Sequence, residues 1–297
     1  MKAIKIILVV AFIALLVGFT VFMVALAANG WDVSPLSSVE IKEEVYIEKT
    51  GGDIKTVVIK YDNADIKVVE GDEFSVKYPV KYTKANKQVT KINLRDDGGI
   101  LYIEEKRDFF RLIFGGLFDF TDPVLEITVP GERAVSLDLD TDNGDVRIAS
   151  SEKANFKDIK IECDNSDTVI KNVSAESIAF EADNGELLLE NVTVSGAINI
   201  ETSNGDVEFI GTVSAEKIKL DTDNGEIGEE NGVIDAGNIE IETDNGDVEI
   251  KLFGKKEDYS VTVKTDNGDK NISSSTGGER ILNIRTDNGD VEVYFAN

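Results

Sequence analysis

The chain has 297 residues, of which 57 are Asp or Glu and 31 are Lys or Arg, so its formal net charge is −26. This charge argues against nucleic acid as a partner, because phosphate binding depends on clustered Lys and Arg. It favours cations, basic proteins or cationic peptides instead. The chain has no His and a single Cys. It therefore lacks the commonest general base and metal ligand, and it cannot form an internal disulfide.

The N-terminus carries an uncharged apolar run, Ile6–Ala28, directly after two lysines. A helix of this length crosses the hydrocarbon core of a bilayer, about 30 Å. Basic residues before the run and acidic residues after it place the N-terminus in the cytoplasm. We therefore predict a single-pass membrane anchor over residues 1–28, a linker over residues 29–45 and an extracytoplasmic remainder. The competing prediction is a cleaved signal peptide at Ala25-Leu26-Ala27, which would give a secreted protein.

A five-residue turn, Thr-Asp-Asn-Gly-Asp with small variations, recurs eight times in the second half of the chain. Its copies begin at Thr141, Cys163, Ala182, Thr202, Thr222, Thr243, Thr265 and Thr286, a mean spacing near 21 residues. Apolar residues alternate with polar ones on both sides of each turn, as in Leu137 and Leu139 before the first copy. This alternation is typical of strands with one buried face.

Two topologies fit the repeat. Asn-Gly between alternating strands is the strongest short signal for a hairpin, and a hairpin would place Thr141 opposite Val146. In a β-solenoid each repeat is one coil, and equivalent residues stack at about 4.7–4.9 Å. Stacking explains why the same residue recurs at each position. We therefore predict an all-β fold, a single-stranded parallel β-solenoid (β-helix) with about 21 residues per coil, preceded by one N-terminal transmembrane helix.

The solenoid is predicted to cover residues 46–297. Residues 136–297 form the regular coils. Residues 46–135 form irregular coils, because Val57–Val68 and Ile92–Ile103 keep the strand–turn–strand pattern at wider spacing. Solenoids need atypical terminal repeats that cap the core and block edge pairing. The irregular segment is the candidate for that role.

A Phe-rich insertion over residues 109–120 interrupts the irregular coils. Its apolar residues are Phe109, Phe110, Leu112, Ile113, Phe114, Leu117, Phe118 and Phe120. One role is a cap folded over the open end of the core. The other is an exposed apolar patch that contacts a membrane or a partner protein.

Stacked coils would also align the acidic residues that end each turn. This acidic row consists of Asp145, Asp167, Glu186, Asp206, Glu226, Asp247, Asp269 and Asp290. Like charges about 5 Å apart repel by about 1 kcal/mol even in water, and calcium takes several carboxylate oxygens. The turns, however, lack the EF-hand pattern and the calcium-binding nonapeptide, and Asp beside Asn-Gly is ordinary turn chemistry. We expect a solvated row without a cofactor, with calcium as the alternative.

No arrangement of catalytic residues stands out. Cys163 occupies a position that Thr holds in six other repeats, and a nucleophilic Cys needs a neighbouring base. Acidic pairs occur throughout the repeat, so they mark no single glycosidase-type site. The sequence therefore predicts a protein that is not an enzyme, with a carbohydrate-active β-helix enzyme as the remaining enzymatic alternative.

The repeated Ile-x-Ile-x-Thr-x-Asn-Gly-Asp-Val-x-Ile pattern behind a hydrophobic N-terminal segment resembles a bacterial family. It is the β-strand-repeat domain of unknown function that carries the name putative adhesin, and the resemblance covers residues 40–297. Some similar proteins are membrane-anchored and encoded beside cell-envelope stress genes. The resemblance implies a surface-binding module without catalytic residues, whose partner is a cell-wall polymer or an envelope protein. The alternative is a stress accessory that modulates a membrane partner. The Phe-rich insertion departs from the plain repeat.

Overall fold

The computed structural model describes residues 2–28, 39–48, 53–83, 86, 88–106, 123–131, 133–228 and 231–296. Within these ranges the chain forms one α-helix, α1 (Lys2–Ala28), a 3₁₀ turn at Lys256–Asp258, and twenty strands. The strands are β1 (Val39–Ile47), β2 (Thr56–Tyr61), β3 (Asp65–Gly71), β4 (Ser75–Thr83), β5 (Lys91–Asp97), β6 (Ile100–Lys106), β7 (Val124–Pro130), β8 (Val135–Thr141), β9 (Val146–Asn165), β10 (Thr168–Ala175), β11 (Ser177–Asn184), β12 (Leu187–Val194), β13 (Ala197–Asn204), β14 (Val207–Thr222), β15 (Ile227–Gly228), β16 (Gly232–Thr243), β17 (Val248–Phe253), β18 (Tyr259–Thr265), β19 (Arg280–Thr286) and β20 (Val291–Ala296).

The chain divides into two compact units. The first comprises Met1–Ile41, Lys81–Val89 and Asp108–Thr121, and the second comprises Lys42–Val80, Thr90–Arg107 and Asp122–Asn297. Helix α1 belongs to the first unit and contains the apolar run Ile6–Ala28. Among the described residues, no helix meets the length and apolarity that crossing a membrane requires. The membrane anchor therefore stays a prediction.

The second unit is built from coils whose strands stack in parallel. All strands belong to one hydrogen-bonded sheet. We call the part made of the segments before each turn sheet 1 and the part made of the segments after it sheet 2; the long strands β9 and β14 contribute to both. Strand β11 pairs with β9 and β13 in sheet 1, whereas β12 pairs with β10 and β14 in sheet 2. Stacked turn residues are 19 to 22 positions apart in the regular coils. The predicted parallel stacking is therefore confirmed here, and the hairpin topology is wrong for these turns.

Equivalent apolar residues form continuous columns in the core. One column consists of Val57, Leu137, Ile159, Ile178, Ile198, Ile218, Ile239 and Leu282, each at most 1% exposed. Each buried aliphatic side chain contributes about 1.5–3 kcal/mol relative to exposure. A one-residue slip would turn the whole column to solvent, so the alternation fixes the register.

The last coils do not stack in the order in which they occur in the chain. Strand β19 lies between β16 and β18, and β20 pairs with β17. The final coil is therefore inserted between the coil of β16 and β17 and the coil that begins with β18. The repeats are nearly identical locally, so they fit one another in either order.

The same inversion occurs at the other end. The coil of β2 and β3 lies between the coil of β6 and β7 and the coil of β8 and β9. The predicted strand–turn–strand unit Val57–Val68 is confirmed as a coil. The segment Ile92–Ile103, predicted as a second such unit, is instead an antiparallel hairpin of β5 and β6. Strand β1 begins at Val39, within the segment 29–45 that the sequence predicts as a linker.

Irregular structure covers the strand edges at both ends of the stack. Strands β5 and β4 add antiparallel partners to β6 and β7. At the other end, Val261 and Ser275 exchange backbone hydrogen bonds of 2.8 and 2.9 Å along the edge of β18, and Ile272 is buried at 5% exposure. The sequence predicts a capping role for residues 46–135 and misses this second cap.

The inverted order predicts which turns can be joined by an engineered disulfide. In a Cys163→Ala background, Asn245→Cys with Asn288→Cys should cross-link readily. Asn245→Cys with Asn267→Cys should not, because the coil of Asn288 lies between them. The two positions are therefore two coil spacings apart, about 9.6 Å, beyond the disulfide limit of about 7 Å. Non-reducing electrophoresis with peptide mapping measures both. Cross-linking of 245 with 267 but not with 288 would contradict the order.

Candidate functional site

The turns carry a ladder of nine stacked asparagine side chains. Eight hydrogen bonds join them, each from the Nδ2 of one asparagine to the Oδ1 of the adjacent one at 2.8 to 3.1 Å. Its members, in spatial order, are Asn63, Asn143, Asn165, Asn184, Asn204, Asn224, Asn245, Asn288 and Asn267. An amide side chain donates through its NH₂ group and accepts through its oxygen, so one Asn in every turn is sufficient to continue the row.

Removing an inner member of the ladder should cost more than removing its end. Asn204→Ala removes the bonds to Asn184 and Asn224 and should lower the free energy of unfolding by about 1–2 kcal/mol. Asn267→Ala removes one bond of the ladder, to Asn288, and should cost about half as much. Urea unfolding of both variants measures the difference. Equal costs would show that the ladder does not stabilise the stack.

The predicted acidic row lies beside the asparagine ladder, and Asp65 extends it. Six of its Asp carboxylates, those of Asp65, Asp145, Asp167, Asp206, Asp247 and Asp290, each accept a backbone N–H from the adjacent coil. The Asp65, Asp145 and Asp206 carboxylates, for example, accept from Asp145, Asp167 and Glu226 at 3.0, 3.2 and 2.8 Å. In the described part of the chain, no group of three or more Asp, Glu, Cys or His side chains is arranged to hold a metal ion. The row thus has a structural role, and calcium stays an untested alternative.

We expect calcium to stabilise the protein no more than any salt does. The melting temperature at about 1 mM CaCl₂ should match that in NaCl of equal ionic strength, because one oxygen of these Asp carboxylates already accepts a backbone N–H and the described side chains form no cluster suited to a metal ion. Differential scanning calorimetry with EGTA as a control measures this. A specific rise with calcium that EGTA reverses would show that the row binds the ion.

Cys163 stacks between Thr141 and Ala182 in the buried row that begins each turn. It is 6% exposed. Burial raises the pKa of its thiol to about 11. The thiol is therefore protonated at pH 7 and inaccessible, which agrees with its interpretation as a repeat-position residue.

The raised pKa of the Cys163 thiol should affect both its alkylation rate and the pH dependence of stability. Iodoacetamide should alkylate Cys163 slowly at pH 8 in the folded protein and rapidly in urea. The folded pKa of about 11 lies above the unfolded value of 9.0, so the stability that this thiol contributes is lost as pH rises between them. Cys163→Thr should remove this part of the pH dependence. Rapid alkylation of the folded protein at pH 8 would contradict the burial.

The outer face of sheet 1 carries a second acidic row that the sequence analysis missed. Its members are Asp140, Glu162, Glu181, Glu201, Asp221 and Glu242, on six successive coils. The first and last carboxylates of this row form ion pairs with basic residues of the adjacent coils. Lys60 pairs with Asp140 at 3.0 Å, and Arg285 pairs with Glu242 at 3.6 Å. The signal was present in the sequence, because each of these residues directly precedes the first residue of a turn.

A depression interrupts this outer face. It measures about 270 Å³ and is bordered by Lys160, Lys219, Glu181 and Glu201 around the small side chain of Ala179. Strand pairing places Ala179 between Lys160 and Asn199 in the row next to the carboxylates. We call this site the Ala179 depression. It presents ammonium, amide and carboxylate groups within one opening, so it can both donate and accept hydrogen bonds.

The Phe-rich insertion 109–120 lies outside the described residues. Its cap and patch roles therefore stay predictions, as does any role in a membrane-sensor complex.

Comparisons with known proteins support the family and the fold. The model of the Toastrack DUF4097 family matches residues 54–294. Among solved structures, a putative lipid binding protein from Parabacteroides distasonis is 15% identical, with a TM-score of 0.53 over 86% of this chain and 96% of its own. A putative adhesin from Bacteroides fragilis is 12% identical, with a TM-score of 0.40 over 86% and 97% of the two chains. No curated protein matches significantly. The family match confirms the resemblance, and the first structure shows the fold alone.

Proposed function

We propose that this chain, which belongs to the Toastrack DUF4097 family, is a non-enzymatic module that binds a cell-envelope polymer. In this proposal its N-terminal helix anchors it in the membrane and its repeat unit lies outside the cytoplasm. The anchor is supported by the uncharged run Ile6–Ala28 behind two lysines. The polymer is a wall polysaccharide that carries hydroxyl and amino groups.

The observation that carries this proposal is the in-register stack of the outer face of sheet 1. Equivalent side chains recur there on successive coils, about 4.8 Å apart. A polymer also presents the same groups at regular intervals. Several weak contacts to one extended ligand then add up, because each later contact is intramolecular.

The Ala179 depression is an opening on this face. Lys160 pairs with Glu162, and Lys219 pairs with Asp221 at 3.7 Å, so the side chains around it are held near one another. Exposed pairs of this kind contribute little to stability, about 0–1 kcal/mol. Their more important effect is to present donors and acceptors together to a polar ligand.

The net charge of −26 selects among envelope polymers. Strongly anionic polymers are repelled, whereas neutral or amino-bearing polysaccharides can approach. Attraction between exposed charges is screened beyond about 8–10 Å at physiological ionic strength. Binding that depends on this charge should therefore weaken as salt increases.

Filling the Ala179 depression should reduce polymer binding. We expect Ala179→Arg in the full-length chain, solubilised in detergent, to co-sediment about tenfold more weakly with peptidoglycan sacculi and crude envelope fragments. The matched control is Ala149→Arg. Ala149 is also half-buried and pairs with Lys171 on the outer face of sheet 2, so this variant adds the same charge without touching the depression.

Two results would contradict the proposal. One is a wild-type chain that sediments with neither preparation. The other is equal loss of binding in both Arg variants, which would show that added charge rather than the depression matters.

A further inference from the structure

The inverted order of the last coils creates a second cavity. The chain leaves sheet 2 at the end of β17, forms β18, and returns to start β19. The segments that make these two crossings border a cavity of about 360 Å³, within the usual range of ligand pockets, about 300–1,000 Å³. We call it the crossover pocket. It is lined by Phe253, Gly254, Glu257, Asp258, Gly277, Gly278, Glu279 and Arg280.

Arg280 is fixed in the wall of this pocket. Its Nη1 donates to Asp235 Oδ1 at 2.7 Å and to the Tyr259 hydroxyl at 3.1 Å. Its guanidinium carbon lies 5.7 Å from the ring centroids of both Phe253 and Tyr259. The ion pair with Asp235 balances its charge. Because a guanidinium has five N–H donors, Nε and Nη2 can still donate to a ligand.

The remaining wall supplies acceptors. Asp258 uses one carboxylate oxygen, Oδ2, to accept the backbone N–H of Lys255 at 2.8 Å, which holds the 3₁₀ turn in place. Glu257 and Glu279 place two further carboxylates on the wall. The glycines at positions 254, 277 and 278 leave the rest of the rim without side chains.

Phe253 gives the pocket an apolar surface. Its side chain is 48% exposed although it ends a core strand, whereas the neighbouring Tyr259 is 1% exposed. Tyr259 is also fixed by its hydroxyl, which donates to the Phe253 carbonyl at 2.8 Å. Phe253 therefore contributes a ring to the opening while its backbone is held.

These groups together select the class of ligand. A small anion would meet the carboxylates of Glu257, Asp258 and Glu279. An organic cation would leave the remaining N–H donors of Arg280 without an acceptor. A neutral polyol uses donors and acceptors alike. A sugar ring also carries an apolar face of C–H bonds, which packs on an exposed aromatic ring. The volume suits one or two hexose rings.

We propose that the crossover pocket binds a single saccharide unit. The apolar face of the sugar packs on Phe253, and its hydroxyls bond with Arg280, Glu257 and Glu279. This inference rests on the proposed function, since it gives the polysaccharide a defined subsite away from the Ala179 depression.

The test titrates the full-length chain with glucose, galactose and N-acetylglucosamine in a detergent without a sugar headgroup. Saturation-transfer NMR detects the bound sugar, and amide shifts of Gly254 and Gly277 locate it. At least one sugar should bind with a Kd of about 1–10 mM. Phe253→Ala should weaken it at least tenfold. Tyr294→Ala is the matched control, because Tyr294 is a similarly exposed ring at 42% outside the pocket lining, and it should leave binding unchanged.

Titration with spermidine, and sugar binding by the Glu279→Gln variant, show whether the pocket binds a sugar or an organic cation. Sugar binding should fall less than threefold in Glu279→Gln, because an amide also accepts hydrogen bonds from hydroxyls. The proposal would be overturned if spermidine bound and none of the three sugars did. It would also be overturned if a folded Phe253→Ala protein bound the sugar as tightly as the wild type. If the sugars fail while the wild-type chain still sediments with sacculi, the saccharide site is wrong and the proposed function stands. If the sugars bind but sedimentation fails, the proposed function is wrong.

Discussion

The close approach of successive coils at the turn is the constraint on which the structure depends. A Cβ atom added at Gly205 would lie 2.0 Å from the carbonyl oxygen of Gly185 in the next coil, so a side chain there would push the coils apart. With glycine in place, the Asn amides hydrogen-bond and the Asp carboxylates reach the next backbone N–H. One repeat uses Ser166 instead, and its Oγ accepts the N–H of Gly144 at 3.0 Å. The Ser166 side chain therefore fits between the coils because it hydrogen-bonds to the backbone of the adjacent one.

The same spacing determines what the surface presents. Because each coil copies the register of the one before, any residue type that recurs in the sequence becomes a straight row in space. The turn rows are occupied by contacts between coils, so they maintain the stack. On the outer face of sheet 1, by contrast, the carboxylates of Asp140, Glu162, Asp221 and Glu242 pair with Lys or Arg side chains instead of with the backbone of the next coil. It is therefore this face, rather than the turns, that we assign to a ligand.

Sequence alone predicts the parts of the fold that rest on local periodicity. The alternation around Leu139 and Ile148 and the recurring Asn were sufficient for parallel stacking and for the first coil at Asn63. The order of the coils was not predictable, because the turns at Asn267 and Asn288 are locally alike. The hairpin at Gly98-Gly99 lacks the Asn of a coil turn, which in retrospect distinguishes it.

The candidate sites also differ in how far the sequence reveals them. The acidic row of the turns was found from the sequence, but its bonding to neighbouring coils depends on distances that spacing does not give. Lys264 and Arg285 stand where the six earlier repeats carry an acid, a change of sign that marks the last two coils. The crossover pocket could not be found from the sequence, since Phe253 and Arg280 come together only through the inserted coil.

The central claim is a single in-register stack with the final coil inserted, and a pair of spin-label distances tests it most directly. In a Cys163→Ala background, labels at Asp140→Cys and Lys264→Cys are seven coils apart, and labels at Asp140→Cys and Arg285→Cys are six coils apart. At about 4.8 Å per coil, double electron–electron resonance should give about 34 Å and about 29 Å, with position 264 farther although it is nearer in sequence. A longer distance to position 285 would contradict the account.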